Sequence, residues 1–305
     1  MTATAVGALL VMLLGAGVRR LGILQREDGV LLVRVVIYLT MPALIFLVLL
    51  RADLETSLLL VPVAAWLVHL ILLVPLLVAV RRLRVDSPRG GAIVVATAVG
   101  NTGFFGIPLI AASGSGFSVA AAVMYDALAT GIITWTSTVA VASAMGEGTR
   151  GPRVEWGQVG RSLLLPPVWA LVAGLGLNLA GVNEMPDPVE RPLEILQGGV
   201  LPLVMLYAGL MIDLRGLRRV WRDVSAITVA RLGLGAAVGL GVAALLRLDG
   251  EIFATVVLMA AMPTAMMSLV LGGQFRLRTD IIAGAVVATT ILCTATLPAL
   301  AALLT

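Results

Sequence analysis

Between residues 91 and 112 an apolar run long enough to cross a bilayer is interrupted at its centre by Gly100-Asn101-Thr102-Gly103-Phe104-Phe105-Gly106-Ile107-Pro108-Leu109. Glycine and proline free backbone N–H and C=O groups that hydrocarbon cannot satisfy, so such a break persists only inside protein or beside a water-filled cavity. Broken helices at mid-membrane are where secondary transporters hold their substrates. The segment is the first candidate for a functional site, and it requires other helices to surround it.

Those helices are present. The 305 residues are 60% hydrophobic and 12% charged, with a mean hydropathy of +1.06, against about 25% charged residues in a soluble domain. Apolar runs fall at 3–18, 30–50, 57–80, 91–112, 117–145, 163–181, 193–213, 224–246, 252–273 and 281–304. The expected fold class is therefore all-α integral membrane, with ten transmembrane helices. All the basic residues are arginines, and they sort by loop. Arg19, Arg20, Arg26, Arg81, Arg82, Arg84, Arg89, Arg150, Arg153, Arg161, Arg215, Arg218, Arg219, Arg222, Arg276 and Arg278 fall in odd-numbered loops; Arg51, Arg191 and Arg247 fall in even ones. Arginine accumulates on the cytoplasmic side, which places the odd loops there and both termini outside. The apolar N-terminus reads as a short first span, because Arg19 and Arg20 follow it where a signal peptide would have basic residues in front. Arginine without lysine, with abundant Ala, Gly, Val and Leu, suits a GC-rich bacterial genome and a cytoplasmic (inner) membrane. The net charge of +4 follows from loop bias and gives no reason to expect nucleic acid as a partner. Cys293 stands alone in an apolar run, which excludes an intramolecular disulfide and a cysteine metal site.

The two halves share punctuation. Met41-Pro42 in the second run and Leu201-Pro202 in the seventh are offset by 160 residues, and the break at Asn101 has a counterpart at Pro263-Thr264. Five spans per half is an odd number, so the second half is inverted relative to the first. A 5+5 inverted repeat with matched interruptions points to a transporter core. Pro42, Pro108, Pro202 and Pro263 are its expected hinge and crossover positions.

The fourth run heads outward and the ninth inward, so their breaks lie at similar depth and cross. A new half-helix begins after each break, and its N-terminus carries unsatisfied N–H groups and about half a positive charge. Asn101, Thr102 and Thr264 are residue types that cap such starts. Two positive ends meeting at one point attract an anion, most simply a carboxylate. Gly100, Gly103 and Gly106 permit close approach of a ligand or of the crossing partner; the competing reading is a packing kink with a glycine face.

The decapeptide Gly100–Leu109 resembles the crossover motif of the auxin efflux carrier family, which includes the plant PIN-FORMED carriers and bacterial malate and malonate permeases. Pro263-Thr264-Ala265-Met266-Met267 resembles that family's second crossover, and the likeness extends over essentially the whole chain. The resemblance implies a bile-acid-symporter-like, NhaA-like elevator fold. Scaffold helices 1–2 (residues 1–56) and 6–7 (163–223) would form a homodimer. Transport-domain helices 3–5 (57–145) and 8–10 (224–305) would move, with a short cytoplasmic linker at 146–162. It implies a small organic anion as substrate, bound by Asn101 with Gly100, Thr102, Gly103, Pro263, Thr264 and Ala265 around it, and the lipid bilayer as the other partner. No cofactor, metal or enzymatic activity is expected. Plant carriers have proline where Gly100 stands and a longer loop between helices 5 and 6, so their loop regulation does not carry over.

Charged groups inside the runs are few. Asp126, after Tyr125 in the fifth run, reads either as a proton carrier or cation ligand, or as a structural partner for the broken backbone. His69, the sole histidine, reads as a proton relay or as a satisfied packing residue. Arg34 and Arg231 are expected to snorkel toward the cytoplasmic surface, and Asp213 to pair with the Arg215–Arg222 cluster. Met262, Met266 and Met267 either line the site or fill core. An alternative function is a sodium-coupled organic-anion symporter like the bile-acid symporters, although Asn101, Thr102, Thr264, Ser268 and Gln274 are a thin oxygen set. A channel and an intramembrane enzyme find less support, since neither a polar stripe nor a catalytic motif is present.

Overall fold

The computed structural model describes residues 2–114, 116–148, 151–152, 154, 156–212 and 217–304. Arg150, Arg153, Asp213 and Arg215, invoked above for loop charge and ion pairing, lie outside the described residues. Among the described residues every regular element is a helix, apart from one two-residue antiparallel bridge. In chain order the helices are α1 (Thr2–Arg20), α2 (Gly29–Leu50), α3 (Thr56–Arg82), α4 (Ser87–Ala98), α5 (Thr102–Ala112), α6 (Val119–Met145) and α7 (Trp156–Leu163). Next come α8 (Pro166–Leu179), α9 (Asp187–Met211), α10 (Leu217–Leu245), α11 (Gly250–Ala260), α12 (Met267–Gln274) and α13 (Thr279–Leu304). Six of them, α2, α3, α6, α9, α10 and α13, are long and apolar enough to cross a membrane, and α5, α8 and α11 are shorter apolar helices. The chain is a multi-pass membrane protein.

Two irregularities in these helices have a local cause in proline. Pro42 and Pro202 lack a backbone N–H and cannot donate within a helix. In α2 the wide turn at Val36–Thr40 precedes Pro42. In α9 the helix breaks at Gly199, three residues before Pro202. The loops after α2, α10 and α12 differ little from expectation; the stretch read as a bare linker instead contains α7, whose Trp156 is exposed. That helix is polar on one side, so it escaped a search for apolar runs.

Helices α1 and α9 pack at backbone contact. A Cβ on Gly15 would collide with the Leu206 carbonyl, and one on Gly209 with the Met12 carbonyl. Helix α8 lies on α2 in the same way, with Gly174 against the Phe46 carbonyl. Between such apolar helices in lipid, close van der Waals approach at small residues is the main attraction. Gly209→Val is therefore expected to lower stability by about 1–3 kcal/mol through overpacking. A melting temperature equal to wild type in the same detergent would show that α1 moves away freely. Helices α3 to α6 pack with one another and with α10, α11 and α13, around the bridge.

Candidate functional site

The chain between α4 and α5 and the chain between α11 and α12 lie side by side as short extended segments. Asn101 N donates to Pro263 O at 2.7 Å, and Ala265 N donates to Val99 O at 3.0 Å. Gly100 and Thr264 thus form the antiparallel bridge. The fully buried Thr264 donates from Oγ1 to Ala96 O at 2.8 Å and from its backbone N–H to Thr289 Oγ1 at 3.0 Å. Ser268 Oγ donates to Val95 O at 3.4 Å. The backbone groups freed by the two breaks satisfy each other, which is the condition for non-helical chain at membrane depth.

Four helix ends meet at this bridge: α4 and α11 finish at it, α5 and α12 start from it. The sequence reading anticipated the two positive starts and overlooked the two negative finishes. Arg231 answers them. Its side chain is 2% exposed. Nε donates to Met262 O at 2.9 Å, one terminal nitrogen to Thr97 O at 3.0 Å, and the other to Ala260 O. Each helix C-terminus carries about half a negative charge, so two of them match one guanidinium. The expectation that Arg231 snorkels is corrected: it points into the crossing, while Arg34 is exposed. The wide turn Val229–Leu234 carries Arg231, a feature common where a helix is re-aimed at a functional site.

Asp126 stands at a positive end. Its Oδ1 accepts from Thr102 Oγ1 at 2.6 Å. The carboxylate also lies over Gly103, where an added Cβ would come within 2.8 Å of Oδ2. It begins a wide turn, Asp126–Thr130, in α6. The close approach that Gly100 and Gly103 permit is used by the chain itself, since a Cβ on Gly100 would sit 3.0 Å from the Arg231 guanidinium.

His69, 4% exposed, is bonded at both ring nitrogens: Nδ1 lies 3.3 Å from Ala98 O and Nε2 lies 2.8 Å from Ser137 Oγ. A carbonyl only accepts, so Nδ1 carries a hydrogen. A small cavity touched by His69, Tyr125, Thr102, Gly100 and Arg231 lies beside the bridge. Asn101 is 3% exposed, and among the described residues nothing accepts from its amide Nδ2. A buried donor left in this way loses the energy of its bonds to water, on the order of 1–3 kcal/mol.

A family model described as membrane transport protein matches residues 2–150 and 157–301. The chain belongs to this family, the auxin efflux carrier family. It is 32% identical over 300 residues to an uncharacterized transporter of Methanothermobacter thermautotrophicus, covering 97% of this chain and 96% of the relative. It is 25% identical over 296 residues to an uncharacterized transporter of Methanocaldococcus jannaschii, covering 92% of each.

In this family member the structure gathers Gly100, Asn101, Thr102, Gly103, Pro263, Thr264, Ala265, Asp126, His69 and Tyr125 into one cluster. Pro42 and Pro202 belong to α2 and α9, outside it; Pro108 lies in the first turn of the second part of α5. Thr102 and Thr264 have their hydroxyls engaged by the protein, so Asn101 alone among the named side chains retains an idle buried donor. Sequence reasoning missed Arg231, Ser137 and Thr289. No local signal marked Arg231, whose role shows only in the carbonyls that α4 and α11 bring to it.

Proposed function

We propose that this chain is a secondary transporter of a small organic anion, carrying a carboxylate of the auxin or malate and malonate kind. The observation that supports it most is the Asn101 amide, a buried donor without an acceptor beside two helix starts. A donor and positive helix ends together suit a carboxylate oxygen.

In this reading the chain crosses the membrane ten times, with α4–α5 and α11–α12 as the broken, crossing fourth and ninth spans of a 5+5 inverted repeat. Both termini face outward from a cytoplasmic membrane. Helices α1, α2, α8 and α9 are the scaffold and the site of homodimerisation. Helices α3 to α6 and α10 to α13 form the moving unit of an elevator, alternating access to the crossing. The packing supports this division, since α1 with α9 and α2 with α8 make the tightest pairs of one group, and the bridge ties the other. Motion of a unit that keeps its own hydrogen bonds leaves the crossing intact while changing which side it faces.

The test is a thermal-shift and binding series of the purified protein with acetate, malonate, malate and indole-3-acetate, with sodium or choline as counter-ion. At least one anion stabilises the wild type. Asn101→Ala binds that anion about 10–100-fold more weakly, the loss of one charge-assisted hydrogen bond, while its elution volume is unchanged. Equal affinity in Asn101→Ala would remove the amide from the site. Stabilisation that requires sodium would favour a sodium-coupled carrier.

A further inference from the structure

We infer that anion binding at the crossing is coupled to protonation of Asp126, because the Asp126 carboxylate already lies against the first turn of α5, where the substrate carboxylate would dock. The inference rests on the anion-carrier reading and adds its coupling ion.

The geometry is specific. α5 opens with N–H groups that have no partner in the preceding turn, and the first intrahelical bonds run from Phe105 and Gly106 back to Asn101 O. The group on the flank of that first turn is the Asp126 carboxylate, which accepts from Thr102 Oγ1 and occupies the space over Gly103. The vacant Asn101 Nδ2 belongs to the residue that starts the same helix. A substrate carboxylate reaching for Asn101 thus arrives next to another carboxylate.

Nothing else nearby neutralises Asp126. Of the elements packed against its turn, α5 carries no titratable residue and α3 contributes His69, which is engaged by Ala98 O and Ser137 Oγ. On its own helix the neighbour is Tyr125. The nearby cation, Arg231 of α10, has its donors on the Thr97, Ala260 and Met262 carbonyls. Among the described residues no salt bridge involves Asp126. Two carboxylates at one helix end cannot both stay ionised, and a shared proton resolves the conflict.

The balance is simple. Asp126 takes a proton from the water on the side to which the site is open and becomes a neutral acid, still accepting from Thr102. The anion then docks on Asn101 and the α5 start. When the site faces the other side the anion leaves, the proton follows it into that water, and Asp126 returns to the helix end. By linkage, the proton favours the anion and the anion favours the proton equally.

The experiment adds malonate, or indole-3-acetate if that is the anion found above, to wild-type protein in weakly buffered detergent containing a pH dye. The pH is kept above the range in which the probe itself titrates. Uptake of about one proton per anion bound is expected, with affinity falling about tenfold per pH unit where Asp126 is ionised. In Asp126→Asn the uptake disappears and affinity no longer follows pH. Binding to the wild type without proton uptake would overturn the coupling and leave the carrier reading standing. Wild-type pH dependence retained in Asp126→Asn would overturn it too. If none of the probes binds the wild type, the carrier reading itself fails and the coupling with it. Should Asp126→Asn fail to fold, the wild-type proton count decides alone.

Discussion

Arg231→Met lowers the melting temperature of the detergent-purified protein by on the order of 10 °C and abolishes transport. Methionine keeps much of the length and apolar volume and removes every donor. The carbonyls of Thr97, Ala260 and Met262 then lose their partner in a place where water is scarce. Each orphaned carbonyl costs about 1–3 kcal/mol, and each kcal/mol is worth roughly 2–4 °C in a chain of a few hundred residues. Two helix ends with about half a negative charge each are also left facing one another. Arg231→Lys keeps the charge but not the planar fork of donors, so it recovers part of the stability. Melting of Arg231→Met within a degree or two of wild type would show that the crossing holds without the guanidinium.

Gly103→Val reduces anion affinity about 10–100-fold while leaving the protein folded. The added Cβ alone stands 2.8 Å from Asp126 Oδ2, and the isopropyl group fills the space beside Thr102 that an anion would enter; losing one charge-assisted hydrogen bond there, about 1.5–3 kcal/mol, corresponds to the expected fall in affinity. The side chain covers the start of α5, where Asp126 lies and where the proposed anion would dock. Gly17→Ala serves as the control, because no atom lies within 4 Å of the position its Cβ would take. Binding by Gly103→Val at wild-type strength would place the anion elsewhere, on the α12 start. The two substitutions separate the negative and positive sides of one crossing.

Much of this site was legible in the sequence because its cause is local. The glycine-rich run before Pro108 and the Pro263-Thr264 pair interrupt their helices, whereas the single prolines Pro62, Pro75 and Pro298 sit inside continuous ones, and a break inside an apolar run has few places to go. Periodic apolar runs located the helices to within a few residues, except at polar ends. The first turns of α10, Leu217-Arg218-Arg219-Val220-Trp221-Arg222, read as loop because they are amphipathic. Starting the span at 224 left Arg231 two turns from its end and made it a snorkelling residue. Its burial against the carbonyls of Thr97, Ala260 and Met262 shows instead that it faces the protein interior. Helix α7 was missed for the same reason.

What the sequence determined by itself is where the backbone must fail to be helical, that the chain is a multi-pass membrane protein, and the family it belongs to. These follow from hydrophobicity, missing N–H groups and charge, which act on neighbouring residues. Only the tertiary structure decided which charges meet the four helix ends. Arg231 reaches carbonyls 134 and 29 residues away, and Asp126 reaches a hydroxyl 24 residues away, across three different helices. A buried charge takes its meaning from its partners, and those partners become neighbours only when the two broken segments meet at the Gly100–Thr264 bridge.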